Sequence, residues 1–178
     1  MKDKTYLRAL LDYNAWANAE IFRAAGALPA AEVAKERPSF LRSILVTLNH
    51  LVVADLIWKA HLEGRAHGFE HLQTVIHQDL EDLRQARRET DEWFGRYLDG
   101  LAPEALEETV AYELIGGNAG SMSRAMILTH IAIHGSYHRG WIADMMGQVP
   151  EDIKVPPPAT DLPVYERAIR ERGSAPLP

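Results

Sequence analysis

Residues 121–146 decide the fold, and they read SMSRAMILTHIAIHGSYHRGWIADMM. Apolar residues recur there at three- and four-residue spacing, which predicts one long helix with a buried stripe. Gly147 follows directly and Pro150 lies just beyond it, a pattern typical of a helix end. We therefore expect a helix of about seven turns that presents its apolar residues to a core.

Three further windows show the same spacing and predict three more long helices, over residues 4–25, 39–63 and 73–98. Ser39 is the expected N-cap of the second helix. Before the last helix, residues 109–114 suit one short strand. Four long helices around one core predict an all-α protein with a four-helix bundle.

The end of the chain has a different composition. Three consecutive prolines begin at Pro156, and an amphipathic segment follows over residues 162–172. This pattern predicts a proline-rich tail with one short extra helix. We therefore divide the chain into a helical domain over residues 1–148 and a C-terminal extension over residues 149–178.

The composition limits the classes of function. The chain has 178 residues, 47% of them hydrophobic and 25% charged, which is typical of one globular domain. It has no cysteine, so thiolate ligands, cysteine nucleophiles and disulfides are excluded. Its net charge of −6 has the wrong sign for binding nucleic acid or an anionic membrane. A small-molecule substrate or a protein is therefore the expected partner.

Two segments bear on localisation. The first residues, MKDKTYLRALLDYNAW, lack the apolar core and cleavage site of a signal peptide, which predicts a cytoplasmic protein. The most apolar window, residues 44–58, contains His50 and Asp55 and is too short to cross a bilayer. We expect a buried core helix there and no membrane span.

Three of the eight histidines, His130, His134 and His138, lie four residues apart on the last long helix. Four residues turn by about 40° around a helix, so neighbouring imidazoles can bind one metal ion. The outer pair is separated by about 12 Å along the axis, so at most two of the three can bind the same ion. No glutamate follows the first histidine, which argues against a metalloprotease of the HExxH type.

A third ligand is expected from the second helix. If that helix runs antiparallel to the last one, His50 lies in the same layer as His138. We therefore favour His50, His134 and His138 as a three-imidazole metal site, with His130 packed one layer deeper. Such a site suits Zn²⁺ or Ni²⁺, with Fe²⁺ or Mn²⁺ as alternatives, and leaves coordination positions open for catalysis. The alternative is a set of core histidines that bind one another and the backbone.

Other residues are expected near this site. Asn14 and Asn18 face inward from the first helix, where they could line a pocket, orient a ligand imidazole or bind other buried polar groups. Arg139 could neutralise a substrate anion or lie in solvent. Gly135 and Gly140 indicate a need for space or close packing within the last helix.

Three motifs together carry a family resemblance. They are YNAWAN at residues 13–18, LNHLVVADLIW at residues 48–58 and HIAIHGSYHRG at residues 130–140. In this order they resemble the DinB family of the DinB/YfiT-like metalloenzymes. The resemblance implies a bundle of up-down-down-up topology, with a long crossover between the second and third helices, and a homodimer.

Matched position by position, the metal-binding histidines of the family correspond to His50, His134 and His138, and a further family histidine corresponds to His130. Where the family motif commonly reads HRGQ, this chain has Trp141 in place of the glutamine. Any role of that glutamine therefore does not transfer to this chain.

The resemblance also implies a function, because related members are thiol-dependent transferases or isomerases that use bacillithiol, mycothiol or glutathione. A metal ion would lower the pKa of such a low-molecular-weight thiol and direct it to a small electrophile. The alternatives are a metal-dependent hydrolase and a non-catalytic, dimeric, stress-related metal-binding module. A metal-free bundle that binds a ligand in its cavity is a further alternative.

Overall fold

The computed structural model describes residues 3–172, which contain six α-helices and one two-stranded sheet. The long helices are α1 (Lys4–Gly26), α3 (Ile44–Leu62), α4 (Leu80–Gly100) and α5 (Arg124–Gly147). The short elements are α2 (Ala30–Ala34), a 3-10 helix (Pro103–Glu107), β1 (Thr109–Glu113), β2 (Ala119–Ser123) and α6 (Leu162–Arg172). The prediction of a mostly helical protein is confirmed. None of the helices in this part of the chain combines the length and the hydropathy needed to cross a bilayer.

Each long helix begins after an aspartate or a serine whose side chain accepts backbone N–H groups. These N-caps are Asp3, Ser43, Asp79 and Ser123. Such caps satisfy amide groups that have no partner within the first helical turn. The expectation that Ser39 caps the second long helix is therefore wrong, because α3 begins after Ser43 and Ser39 lies in a bend.

The crossover between α3 and α4 is longer than the sequence predicts, because residues 73–79 are not helical. Asn49, buried in α3, holds this segment: its Oδ1 accepts the backbone N–H groups of Ile76 (2.8 Å) and His77 (3.0 Å). Its Nδ2 donates to the carbonyl of His77 (3.0 Å). These bonds engage backbone groups that a helix would need, so α4 begins only at Leu80.

A β-hairpin leads into α5. Its strands pair antiparallel, with Thr109 opposite Ser123. Gly116 and Gly117 form the turn with φ values of 96° and 82°, in the left-handed region that glycine adopts readily. The sequence analysis missed β2, because AGSMS lacks the β-branched and aromatic residues typical of strands. As a result α5 begins at Arg124 and not at residue 121.

The long helices pack around two clusters of buried apolar residues. Both α1 and α3 contact α4 and α5. One cluster includes Ile21, Leu48, Leu83 and Ile142. The other includes Leu7, Trp58, Leu98 and Ile127. Between these clusters, the helices contribute histidines and other polar side chains.

The C-terminal helix α6 packs on α1. The ring of Tyr165 lies 5.7 Å from that of Tyr13 and 5.3 Å from that of Trp16, between ring centroids. The Tyr13 hydroxyl donates to the carbonyl of Thr160 (2.9 Å). These contacts hold the C-terminal extension against the first helix.

Candidate metal centre

His50, His134 and His138 come together where α3 contacts α5. One ring nitrogen of each lies within 4.8 Å of those of the other two. His50 and His138 are buried, with exposed fractions of 4% and 6%, and His134 is half-buried. Within residues 3–172 this is the one group of three or more histidine or carboxylate side chains with ligand atoms this close.

A backbone carbonyl of the crossover orients His50. Its Nδ1 lies 2.9 Å from the carbonyl oxygen of Leu72. Because a carbonyl only accepts hydrogen bonds, Nδ1 carries the ring proton and Nε2 of the neutral ring has a free lone pair. This Nε2 lies 3.2 Å from Nε2 of His138. The sequence analysis missed Leu72, because its contribution comes from the backbone and has no side-chain signature.

The nitrogen geometry fits a divalent metal ion. Two imidazoles bound to one tetrahedral ion, with metal–nitrogen bonds of about 2.0–2.1 Å, hold their nitrogens about 3.3 Å apart. The distance of 3.2 Å between His50 and His138 is close to this value. In addition, Nδ1 of His134 is buried without a hydrogen-bond partner. Three imidazoles form a donor set that suits Zn²⁺ or Ni²⁺ better than Mg²⁺ or Ca²⁺.

The three imidazoles are in the protonation state that metal binding requires. Burial lowers the pKa of His134 to about 3, and the neighbouring imidazoles of His138 and His50 add to the effect. Burial and the imidazole of His50 lower the pKa of His138 to about 4. The pKa of His50 is also lowered by burial, against the opposing effect of its hydrogen bond to Leu72. The cluster is therefore neutral at pH 7, as a nitrogen ligand must be.

A pocket of about 490 Å³ opens beside the cluster, and all three histidines line it. His130 lines it too, with its ring centroid 5.4 Å from that of His134 and 5.1 Å from that of Trp58. Trp141 packs on His138 with a centroid distance of 4.7 Å. His130 thus contacts the cluster but does not belong to the group of close ligand atoms.

Asn14, Asn18 and Arg139 come together, but they do not line this pocket. Arg139 is 2% exposed, and its Nη1 donates to Oδ1 of Asn14 (2.7 Å) and of Asn18 (2.8 Å). Of the three roles considered for the asparagines, the structure shows the third: they bind a buried polar group, the guanidinium of Arg139, and neither lines the pocket. Arg139 neither lies in solvent nor lines the pocket, so both roles expected for it are wrong; its Nε and Nη2 are buried without a hydrogen-bond partner.

Gly135 leaves the space in which Arg139 contacts Asn14. A Cβ atom there would lie 2.5 Å from Oδ1 of Asn14 and 2.8 Å from Nη1 of Arg139. At Gly140 a Cβ atom would meet no neighbour within 4 Å. The close approach expected at the two glycines is therefore found at Gly135 only.

A buried ion network lies next to these residues. Arg87 of α4 pairs with Asp55 of α3 (2.7 Å) and with Asp91 (2.9 Å), and Asn18 donates to both oxygens of Asp91 (3.1 Å each). Burial raises the pKa of Asp55 to about 6, although Arg87 opposes this shift. The sequence analysis did not find this network. The signal for it is Asp55 in the most apolar window, which requires a buried partner.

Comparisons with known proteins bear on the family and the fold of the chain. The DinB family model matches residues 1–173. The chain is 27% identical over 146 residues to Protein DinB of Bacillus subtilis (strain 168). The aligned region covers 78% of this chain and 83% of that protein. The crystal structure of a DinB-like protein from Bacillus cereus ATCC 10987 has a similar fold, with a TM-score of 0.57 at 15% identity. That similarity covers 75% of this chain and 85% of the other.

Proposed function

The chain belongs to the DinB family, and we propose that His50, His134 and His138 bind one divalent metal ion, with Zn²⁺ or Ni²⁺ favoured and Fe²⁺ or Mn²⁺ as alternatives. The observation that carries this proposal is the 3.2 Å between Nε2 of His50 and Nε2 of His138, in a group where one ring nitrogen of each of the three histidines lies within 4.8 Å of those of the other two. Structural zinc sites usually have four protein ligands, whereas three leave a position open. A ligand in the pocket would lie beside an ion held there, because the three histidines line the pocket.

We further propose that the protein is a thiol S-transferase or isomerase that acts on a small electrophile. A divalent ion at the histidines would supply Lewis acidity and lower the pKa of a low-molecular-weight thiol. In a transfer, the sulfur forms a bond to an electrophilic carbon, the leaving group departs with its electron pair, and the thiol proton passes to solvent. In an isomerisation, the thiolate adds to the substrate and is later expelled, so the thiol is regenerated.

Residues of this chain prepare the site for such a reaction. The Leu72 carbonyl keeps the proton of His50 on Nδ1, so that Nε2 faces the cluster as an acceptor. Trp141 packs on His138 and, at 6.2 Å between centroids, on Phe40. The indole ring of Trp141 therefore covers part of the His138 ring.

A metal-dependent hydrolase is the second candidate. Hydrolysis commonly uses a side-chain carboxylate as general base. No aspartate or glutamate of residues 3–172 lines the pocket, which favours thiol chemistry. A non-catalytic, dimeric, stress-related metal-binding module is the third candidate, because a metal ion would stabilise the contact between α3 and α5 without any reaction.

A conjugation assay separates these candidates. Untagged protein loaded with Zn²⁺ or Ni²⁺ is mixed with 1-chloro-2,4-dinitrobenzene and with glutathione, bacillithiol or mycothiol, and product formation is followed by absorbance. We expect metal-dependent turnover that His138→Ala abolishes and that His71→Ala, a change at an exposed histidine, leaves intact. Ester hydrolysis without thiol would favour the hydrolase. Metal-dependent melting without turnover on any substrate would favour the non-catalytic module.

We also propose the up-down-down-up arrangement of a four-helix bundle over residues 1–148, with residues 149–178 as an extension. In support, α1 and α5 begin at the end of the molecule that contains Leu7 and Ile127, whereas α3 and α4 end there, at Trp58 and Leu98. A homodimer is proposed from the family resemblance. Sedimentation equilibrium tests it, and a monomer at every concentration would contradict it.

A further inference from the structure

The pocket beside the three histidines has an apolar wall. Its lining includes Leu41, Ile57, Trp58, Leu72, Ile115 and Met122. Within residues 3–172, no lysine, arginine, aspartate or glutamate lines it. By contrast, a larger cavity of about 740 Å³ between α1 and α4 is lined by many arginines, aspartates and glutamates.

Two charged residues, Asp55 and Arg139, adjoin pocket-lining residues in the sequence, but their side chains bind other buried groups. Asp55 is paired with Arg87, and Arg139 is bonded to Asn14 and Asn18. In the metal-free protein, an ionic group deep in the pocket would therefore lose its water without gaining a counter-charge from a side chain. Such a transfer is costly, whereas an apolar group gains free energy from the same burial.

Aromatic rings and exposed apolar side chains add to this preference. Trp58 and Tyr112 meet edge to face in the wall, with centroids 5.1 Å apart. Phe40, Leu72 and Leu114 also line the pocket, although they are 70%, 41% and 40% exposed. Large apolar side chains that lie in water beside a cavity are typical of a ligand-binding site.

We infer that this pocket binds an uncharged, mainly aromatic small molecule, which is the electrophile of the reaction. Its role as a reactant rests on the proposed function, whereas its binding does not need the metal ion. The charged groups of a thiol such as glutathione then stay outside the pocket mouth, and only its sulfur approaches the histidines. The inference names the class of the second substrate, which membership of the family leaves open.

The first test uses metal-free protein, in which no ion supplies a counter-charge, and the neutral fluorescent probe N-phenyl-1-naphthylamine. Two ligands of similar size then compete with it: the neutral 2-acetylnaphthalene and the charged 2-naphthoate. In metal-free protein we expect the neutral ligand to bind at least about tenfold more tightly, since burying the carboxylate is costly. Equal or tighter binding of the naphthoate, or no binding of the probe, would overturn the inference.

Two matched substitutions locate the bound probe. Ala54 lines the pocket and Ala15 lines the larger cavity, so Ala54→Leu and Ala15→Leu add the same atoms at two different sites. We expect Ala54→Leu to weaken probe binding about tenfold and Ala15→Leu to leave it unchanged. The reverse result would overturn the inference. Leu114→Lys at the mouth, with Leu162→Lys as its exposed control, gives the same comparison if Ala54→Leu does not fold.

Failure of this inference differs from failure of the proposed function. The metal content of every preparation is measured in parallel. If no metal binds but the neutral ligand is preferred in metal-free protein, the inference of an apolar pocket is supported and the proposed metal site is rejected. If metal binds but the carboxylate is preferred in metal-free protein, the proposed metal site is supported and the apolar-substrate inference is rejected.

Discussion

Nε2 of His50 and Nε2 of His138 lie 3.2 Å apart across the contact between α3 and α5. Because the Leu72 carbonyl holds the proton of His50 on Nδ1, Nε2 of His50 accepts in this pair and Nε2 of His138 donates. A metal ion held there would take the place of this hydrogen bond, and the neutral ring of His138 would then carry its proton on Nδ1. The pair therefore links the helix packing, the crossover and the proposed metal site.

Asn49 is expected to affect the metal site without touching it, because it fixes the path of the crossover that carries Leu72. Asn49→Ala should weaken metal affinity by about 10- to 100-fold, as is typical when the partner of a ligand imidazole is lost. Isothermal titration with Zn²⁺ measures this. His71→Ala, at an exposed residue of the same crossover, is the control and should bind Zn²⁺ like the wild type. Equal affinity of Asn49→Ala and wild type would contradict the prediction.

Acid should destabilise the metal-free protein. The folded-state pKa values of His134 and His138, about 3 and about 4, lie below the ordinary value of 6.5. The unfolded chain therefore binds more protons, so this stability is present above pH 6.5 and is lost as the pH falls toward 4. The free energy of unfolding of His134→Gln should also fall as the pH falls, but with a slope that is smaller than that of the wild type by about 1 kcal/mol per pH unit. Urea unfolding at pH 7, 6 and 5 measures it, and identical slopes would refute it.

Two glycines of α5, Gly135 and Gly140, should respond in opposite directions to the same substitution. Gly135→Ala places a methyl group against Asn14 and Arg139 and should lower the free energy of unfolding by about 1–3 kcal/mol. Gly140→Ala meets no neighbour within 4 Å and should raise it by about 0.5–1 kcal/mol through helix propensity. Chemical denaturation of both variants is the measurement. A stabilised Gly135→Ala would show that the buried cluster does not need this space.

Loss of Arg87 should be severe, because it leaves Asp55 and Asp91 without their cation. Arg87→Met should lower the free energy of unfolding by about 3–5 kcal/mol. The loss should increase from pH 5 to pH 8, because without Arg87 the pKa of Asp55 rises further above 6 and ionisation then opposes folding.

The matched control for this change is Arg84→Met, which removes an exposed pair with Glu81 on the same helix. It should cost less than about 1 kcal/mol. Thermal and urea unfolding at pH 5, 7 and 8 compare the two variants. Similar losses in both would show that burial of the Arg87 network adds nothing.

The sequence was most informative about the helix faces. Four-residue spacing fixes where His134 and His138 lie on α5, and equal depth in antiparallel helices brings His50 to the same level. These three side chains do come together, as predicted. Their role as ligands stays a prediction.

The structure of the irregular segments could not be predicted from residue spacing. The start of α4 depends on hydrogen bonds from Asn49, which is distant in sequence, and β2 pairs through its backbone despite weak strand propensity. Leu72 acts through a carbonyl, which every residue has. Asn14 and Asn18 were placed on the correct helix face, but their partner Arg139 is a tertiary contact that local spacing does not specify.

The measurement that tests the central claim most directly is the metal content of untagged protein, by elemental analysis, for wild type, His138→Ala and the control His71→Ala. We predict about one Zn²⁺ or Ni²⁺ per chain in wild type and in His71→Ala, and none in His138→Ala, because two remaining imidazoles hold such ions weakly. Metal-free wild type that also fails to take up Zn²⁺, Ni²⁺, Mn²⁺ or Fe²⁺ would contradict the claim. Equal metal in all three proteins would contradict it as well, since the ion would then lie elsewhere.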